Sequence, residues 1–326
     1  MPALFTLAGW AILFPSMNKP FVLFNNAGRL RCGWRVAIFL VLWILFSGIL
    51  GAVVFTAIEL ATRGPLGVAP RFAVGSAISL VATIVVGWLC GRWLEELPYR
   101  SLGAGFSRGC LRHLLLGLLI GGLSLALSVG IATAFGNYGF TLNLTTSPIQ
   151  LVSALAQAFL VLALAAGFEE AFFRGYMFQT LSRSGLAWLA IALTAAFFGA
   201  VHIGNPNSGT ISSIDTVIAG ILFGIAYLKT RDLWFPFGIH LMWNWVQGSV
   251  FGIEVSGLTE LSAVSILKEV DGGPVWLTGG DYGIEGGLAS TVALVATCVL
   301  IYFMPLRPDS ELLSMSSKEN PITSVS

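Results

Sequence analysis

Charge is what this chain has least of. Only 10% of its 326 residues are Asp, Glu, Lys or Arg, and 56% are hydrophobic, with a mean hydropathy of +0.85. Soluble domains carry about 25% charged residues, so a water-soluble globular protein is excluded and a polytopic membrane protein is expected. Net charge is +1, which leaves no electrostatic case for nucleic acid as a partner. Histidine is scarce as well: there are three, and none lies in an H-E-x-x-H string. The four cysteines (Cys32, Cys90, Cys110, Cys298) show no C-x-x-C spacing, which argues against a zinc knuckle or a dithiol redox pair. No internal repeat of the inverted-repeat transporter kind is visible. The opening apolar stretch, Leu4 to Phe14, is too short to span and lacks a basic leader and a cleavage site, so it makes a poor signal peptide. It reads as an interfacial stretch within a cytoplasmic segment 1–35, with Met17 as a second candidate start.

What the chain has in quantity is long apolar runs. Runs able to cross roughly 30 Å of hydrocarbon fall at about 36–60, 72–90, 114–135, 149–173, 186–203, 211–228, 233–252 and 287–305. The expectation is an all-α protein of about eight transmembrane helices. The 38 glycines fit helices that pack closely through small residues. Thirteen basic residues lie on one side of these spans: Lys19, Arg29, Arg31, Arg35, Arg92, Arg100, Arg108, Arg112, Arg183, Lys229, Arg231, Arg307 and Lys318. The other side has Arg63, Arg71 and Lys268. By the positive-inside rule both termini are cytoplasmic. The acidic connector 253–286 then belongs outside, and its D-G-G-P and G-G-D turn signals suggest a folded cap rather than a calcium site. Three helices would occupy 36–148, a four-helix core 149–252 and the last helix 287–305. The Ser-rich end, 306–326, reads as a disordered tail.

Three polar clusters interrupt the apolar runs of the second half. Glu169 and Glu170 are adjacent, with Arg174 one turn on. An ionised side chain in hydrocarbon costs at least a few kcal/mol and is by default a functional candidate. On a helix Glu170 and Arg174 are i,i+4 neighbours that can pair, while Glu169 is turned about 100° away. The bland alternative places both glutamates at the interface, snorkelling outward. The second cluster is Phe198-Gly-Ala-Val-His202. The runs holding Glu169 and His202 form a hairpin about Arg183–Leu186, midway between them, so equal rise per residue puts the two at nearly one depth. The third is His240-Leu-Met-Trp-Asn244, whose polar ends share one helix face. Taking Arg174 as the interfacial residue, and counting eight residues from Asp232 to His240, sets the cluster about 10 Å below the cytoplasmic surface. Asn244 alone serves equally well as interhelical glue. His113, beside Arg112, reads as interfacial.

E-E-x-x-x-R, F-x-x-x-H and H-x-x-x-N, in this order on successive apolar helices, resemble the signature of the CAAX protease and bacteriocin-processing family. These are Abi-type intramembrane endopeptidases related to the Ras-converting CAAX endoprotease. The motifs are Glu169-Glu170-Ala171-Phe172-Phe173-Arg174-Gly175, Phe198 to His202, and His240 to Asn244. The likeness covers roughly 149–252, and no motif position departs from it. It implies a glutamate–histidine peptidase without a covalent intermediate. Glu169 would activate water with help from His202, while His240 and Asn244 would donate to the oxyanion. Glu170 and Arg174 would brace the site, and no cofactor would be needed. Its substrate would be a membrane-associated peptide or protein, reached from the cytoplasmic side. A zinc peptidase using Glu169, His202 and His240 as a His₂Glu site is the alternative. A non-catalytic scaffold or immunity protein and a proton-coupled transporter also stay open.

Overall fold

The computed structural model describes residues 22–25, 28–106, 109–308 and 310–316. Its principal helices are α1 (Cys32–Thr62), α2 (Val68–Leu94), α3 (Cys110–Phe135), α4 (Pro148–Arg174), α5 (Tyr176–Arg183), α6 (Ala187–His202), α7 (Thr210–Thr230), α8 (Trp234–Trp245) and α9 (Leu288–Phe303). Strands β1 (Tyr138–Leu142) and β2 (Leu267–Asp271) pair antiparallel, with Tyr138 opposite Asp271 and Leu142 opposite Leu267. The fold is helical and polytopic, as composition demands. Each apolar run contains a helix. Five segments are long and apolar enough to cross a membrane: α1, α2, α3, α7 and the continuous stretch Pro148–Arg183. The other three expected spans are shorter. α6 and α9 have 16 residues each and α8 has 12. α6 stops at His202 because Gly204-Asn205-Pro206 follows, a string that breaks helices.

Two local features set the site's geometry. At Gly175 the chain between α4 and α5 takes ψ −131°, and a Cβ there would collide with the Ala171 carbonyl. The hairpin expected to turn once at Arg183–Leu186 is therefore bent a second time, just beyond the glutamates. Glycine also lets α3 cross α8 backbone to backbone. A Cβ at Gly117 would strike the Phe235 carbonyl, one at Gly121 the Ile239 carbonyl, and one at Gly238 would come within 2.7 Å of the Leu114 carbonyl. Small residues four apart allow such an approach between membrane helices. The crossing clamps the turn of α8 that leads into His240.

After Asn244 the helix loosens. Val246–Phe251 continues α8 as a wider π-helical turn, a form that recurs beside functional sites. The connector 253–286 is folded, with Leu261, Leu277, Tyr282 and Ile284 buried, and β2 ties it to the α3–α4 connector at the same end of the bundle. At the opposite, basic end, His113 departs from expectation. It is 5% exposed and bonds Asp232, whose Oδ1 accepts the backbone N–H groups of Trp234 and Phe235 at the start of α8. A partner 119 residues away is what sequence inspection missed. The tail read as disordered carries a short helix, Ser310–Ser316, with Leu312 buried. The opening stretch Leu4–Phe14 lies outside the described residues. α1 has only 6% of its most apolar window buried, so most of its surface is left for lipid.

Candidate active site

The site grows from the last two turns of α4. Glu170 is 1% exposed and Arg174 is fully buried, so neither snorkels to an interface. Arg174 Nη1 donates to Glu170 Oε1 at 3.2 Å, and Nη2 donates to the Gly220 carbonyl on α7 at 2.8 Å. That carbonyl is within reach because Gly220 packs on α6, where a Cβ would come within 2.7 Å of Ala195 Cα. The guanidinium carbon also lies 5.7, 5.0 and 4.9 Å from the ring centroids of Phe173, Phe198 and Phe223. An ion pair, a carbonyl and three aromatic faces together offset the desolvation of a buried guanidinium.

Glu170 Oε1 has a second partner. His240 Nδ1 lies 2.9 Å away, and its ring stacks on Phe223 with centroids 4.8 Å apart at 15°. Because the arginine already donates to this oxygen, Glu170 is the acceptor and the Nδ1 proton belongs to His240. The imidazole Nε2 is thereby turned toward Glu169, at 3.7 Å from Oε2. His202 is oriented from its own helix, where Nδ1 bonds the Phe198 carbonyl at 2.7 Å. A carbonyl only accepts, so Nδ1 carries the proton and Nε2 of a neutral ring keeps a lone pair. The Phe198 ring holds both imidazoles, with centroids 4.6 Å from His202 and 6.0 Å from His240.

Glu169, His202, His240 and Asn244 all line one cavity of about 240 Å³. The Glu169 side chain is 22% exposed, and its Oε2 is buried without a hydrogen-bond partner. Sequence spacing thus brings the four catalytic candidates to one void, with Glu170 and Arg174 behind its wall. The pairing differs in one respect. The ion pair Glu169 makes is with His240, while His202 meets it as a fellow lining residue. Among the described residues, no three His, Cys, Asp or Glu side chains are grouped so as to hold a metal ion.

The cavity's position departs further from expectation. His240 is about 12 Å along the helix from Asp232, but His202 is about 22 Å from the start of α6. Val255, Ser256 and Glu285 of the acidic connector complete the lining. The void therefore reaches the acidic end of the bundle, not the basic end. The depth of about 10 Å rested on Arg174 marking an interface, and Arg174 is buried. Leu294 of α9 and Phe72 of α2 contribute too, so the site draws on helices outside 149–252. Asp215 was missed although the signal was present: it is an acid inside the apolar run 211–228, open to the same inference that singled out Glu169. Glu285 gave no such signal, because it sits in a connector already rich in acids.

Residues 150–246 match the Rce1-like family, type II CAAX prenyl endopeptidase Rce1-like. The likeness inferred from three short motifs therefore extends over the whole segment between and around them. That Rce1-like segment carries every motif residue and runs from α4 into the π turn. It places the protein with membrane proteases, hydrolases of the CAAX endopeptidase type. The match covers under a third of the chain. Comparison with curated proteins finds no match.

Proposed function

We propose that the protein is an intramembrane endopeptidase in which Glu169 activates water. One observation carries the proposal: two adjacent carboxylates live in opposite states. Glu170 is held by Arg174 and His240, whereas Glu169 lines a cavity with Oε2 unbonded and a histidine Nε2 at 3.7 Å. Water taken up between Glu169 and His202 Nε2 loses a proton to the carboxylate as its oxygen attacks the carbonyl carbon. His240 Nε2 and Asn244 Nδ2 donate to the oxyanion, each such donor contributing roughly 3–4 kcal/mol in a water-poor site. The His240 role requires a proton on Nε2 as well as on Nδ1, and carboxylates facing both nitrogens favour that state electrostatically. Collapse breaks the C–N bond, and the proton held by Glu169 passes to the leaving amine.

The catalytic unit is 149–252 completed by the acidic connector and α9. Its substrate is a segment of a membrane-associated protein, entering at the connector end. With both termini cytoplasmic, that end faces the other compartment. The test is cleavage by purified protein in nanodiscs, read by mass spectrometry of a panel of membrane-anchored peptides. Cleavage by the wild type and none by Glu169→Gln supports the proposal; equal cleavage by both removes it. In the same assay a zinc chelator leaves the rate unchanged. Loss of activity that added zinc restores would transfer Glu169, His202 and His240 to the metal alternative.

A further inference from the structure

The cavity holds a second acidic patch that the hydrolytic scheme does not use. Asp215, in the second turn of α7, lines the void and is 2% exposed. Its Oδ1 accepts the Thr291 hydroxyl at 2.6 Å, while Oδ2 is buried with no hydrogen-bond partner. Glu285 faces the void from the connector. Its Oε1 accepts the Trp243 indole N–H at 3.1 Å, and its Oε2 accepts both the backbone N–H and the hydroxyl of Ser256 at 2.8 Å. All these donors are neutral. Among the described residues that line the cavity there is no lysine or arginine, in contrast to Glu170 with its arginine.

Buried carboxylates without a counter-charge are costly, and in membrane proteins they mark the path of a cation or a substrate. A metal ion fits poorly, since no three ligating side chains are grouped to hold one among the described residues. An organic cation fits better, because its several N–H donors can be shared among carboxylates and the neutral acceptors Asn205 and Thr216, which line the same void.

We propose that Asp215 and Glu285 form a subsite for a cationic group of the peptide substrate, an ammonium or guanidinium bound beside the scissile bond. This deepens, and rests on, the peptidase proposal for the cavity. The cation comes either from a Lys or Arg side chain or from a free amino terminus. The same charge disfavours a free carboxylate there, since Glu169, Asp215 and Glu285 all line the cavity.

Three matched peptides test the subsite: an acetyl-capped lysine peptide, an uncapped norleucine peptide and an acetyl-capped norleucine peptide. Binding is measured on full-length Glu169→Gln protein in nanodiscs, so no cleavage is needed. At least one cationic peptide should bind about tenfold more tightly than the capped norleucine peptide, the scale of one charge-assisted hydrogen bond. The lysine and uncapped arms identify the source of the cation. In a second variant that adds Asp215→Asn, which keeps the size and the Thr291 contact, the preference should fall to about one; Glu285→Gln should lower it independently. Equal binding of the three peptides, or no binding of any, overturns the subsite. So does a preference that survives both substitutions. Wild-type cleavage of the neutral peptide without cation preference would sink the subsite and leave the peptidase standing. Cation preference in binding with no cleavage of any peptide would do the reverse.

Discussion

The chain contains two adjacent glutamate pairs, one at each end of the bundle, and the structure treats them differently. At the basic end Glu95 is buried beside exposed Glu96. Both Glu95 oxygens are engaged: Oε1 accepts the Thr180 hydroxyl at 2.6 Å, and Oε2 meets Arg183 Nε at 2.9 Å, Arg183 Nη2 at 2.8 Å and Arg35 Nη1 at 3.6 Å. The cluster joins α1, the end of α2 and α5, and no valence of that carboxylate is left over. At the other pair, Glu170 has the comparable arginine, yet its Oε2, Arg174 Nε and Glu169 Oε2 all lack hydrogen-bond partners. Native proteins seldom leave such groups buried and unsatisfied. A buried acid with a cation beside it is thus no guide by itself. What separates a brace from a reactive site is the orphaned atom together with a void to receive a substrate.

The largest expected effect breaks this comparison at Glu169. Glu169→Gln should lower kcat by about 10³-fold, within the usual range for a general base, with little change in the melting midpoint. Glu170→Gln keeps an acceptor for His240 but loses the charge opposite Arg174. It should cost on the order of 10²-fold in rate, the scale of a misplaced catalytic group, and should lower the midpoint as well. Equal kinetic losses in the two variants would mean that the pair does not divide its labour. Glu95→Ala should reverse the pattern. Removing one partner of a buried ion cluster costs about 3–5 kcal/mol of stability, so unfolding should come far earlier while the folded fraction keeps its kcat.

The smallest effect concerns a third acid, outside the membrane spans. Burial pushes the Glu269 carboxyl up to about 7, with Glu254, Asp271 and Asp281 adding to the rise and a hydrogen bond from Tyr138 opposing it. The folded state then binds this proton more tightly than the unfolded chain. The stabilisation is full below about pH 4.5 and is lost as pH rises through about 7. Amides of β1 and β2 should be better protected from exchange at pH 5 than at pH 8, after correction for intrinsic rates, and Glu269→Gln should flatten that difference.

Much of this was legible in the chain. Hydropathy located every helix, because a bilayer demands long apolar runs. Helical spacing paired Glu170 with Arg174, and the hairpin argument brought Glu169 and His202 to one cavity. What escaped were contacts with no local signature. The bend at Gly175 depends on a backbone torsion. His113 with Asp232 and Trp243 with Glu285 are encounters between distant segments. The burial of Arg174 follows from three phenylalanines that converge only in the fold. Asp215 was readable and was passed over because it had no neighbouring motif.

The π turn after Asn244 has a consequence for how the chain can vary in length. A helix that accommodates one extra residue as a local bulge can lose it again and close to an ordinary α turn. Each residue advances an α-helix by about 100°. Deleting one position between Val246 and Phe251 would leave His240 and Asn244 in place and swing everything downstream by roughly that angle. Ser256 would leave Glu285, and the cavity would lose the connector face of its wall. Insertions and deletions in this turn are therefore a route by which related chains can exchange one substrate-facing cap for another without touching the chemistry beneath it.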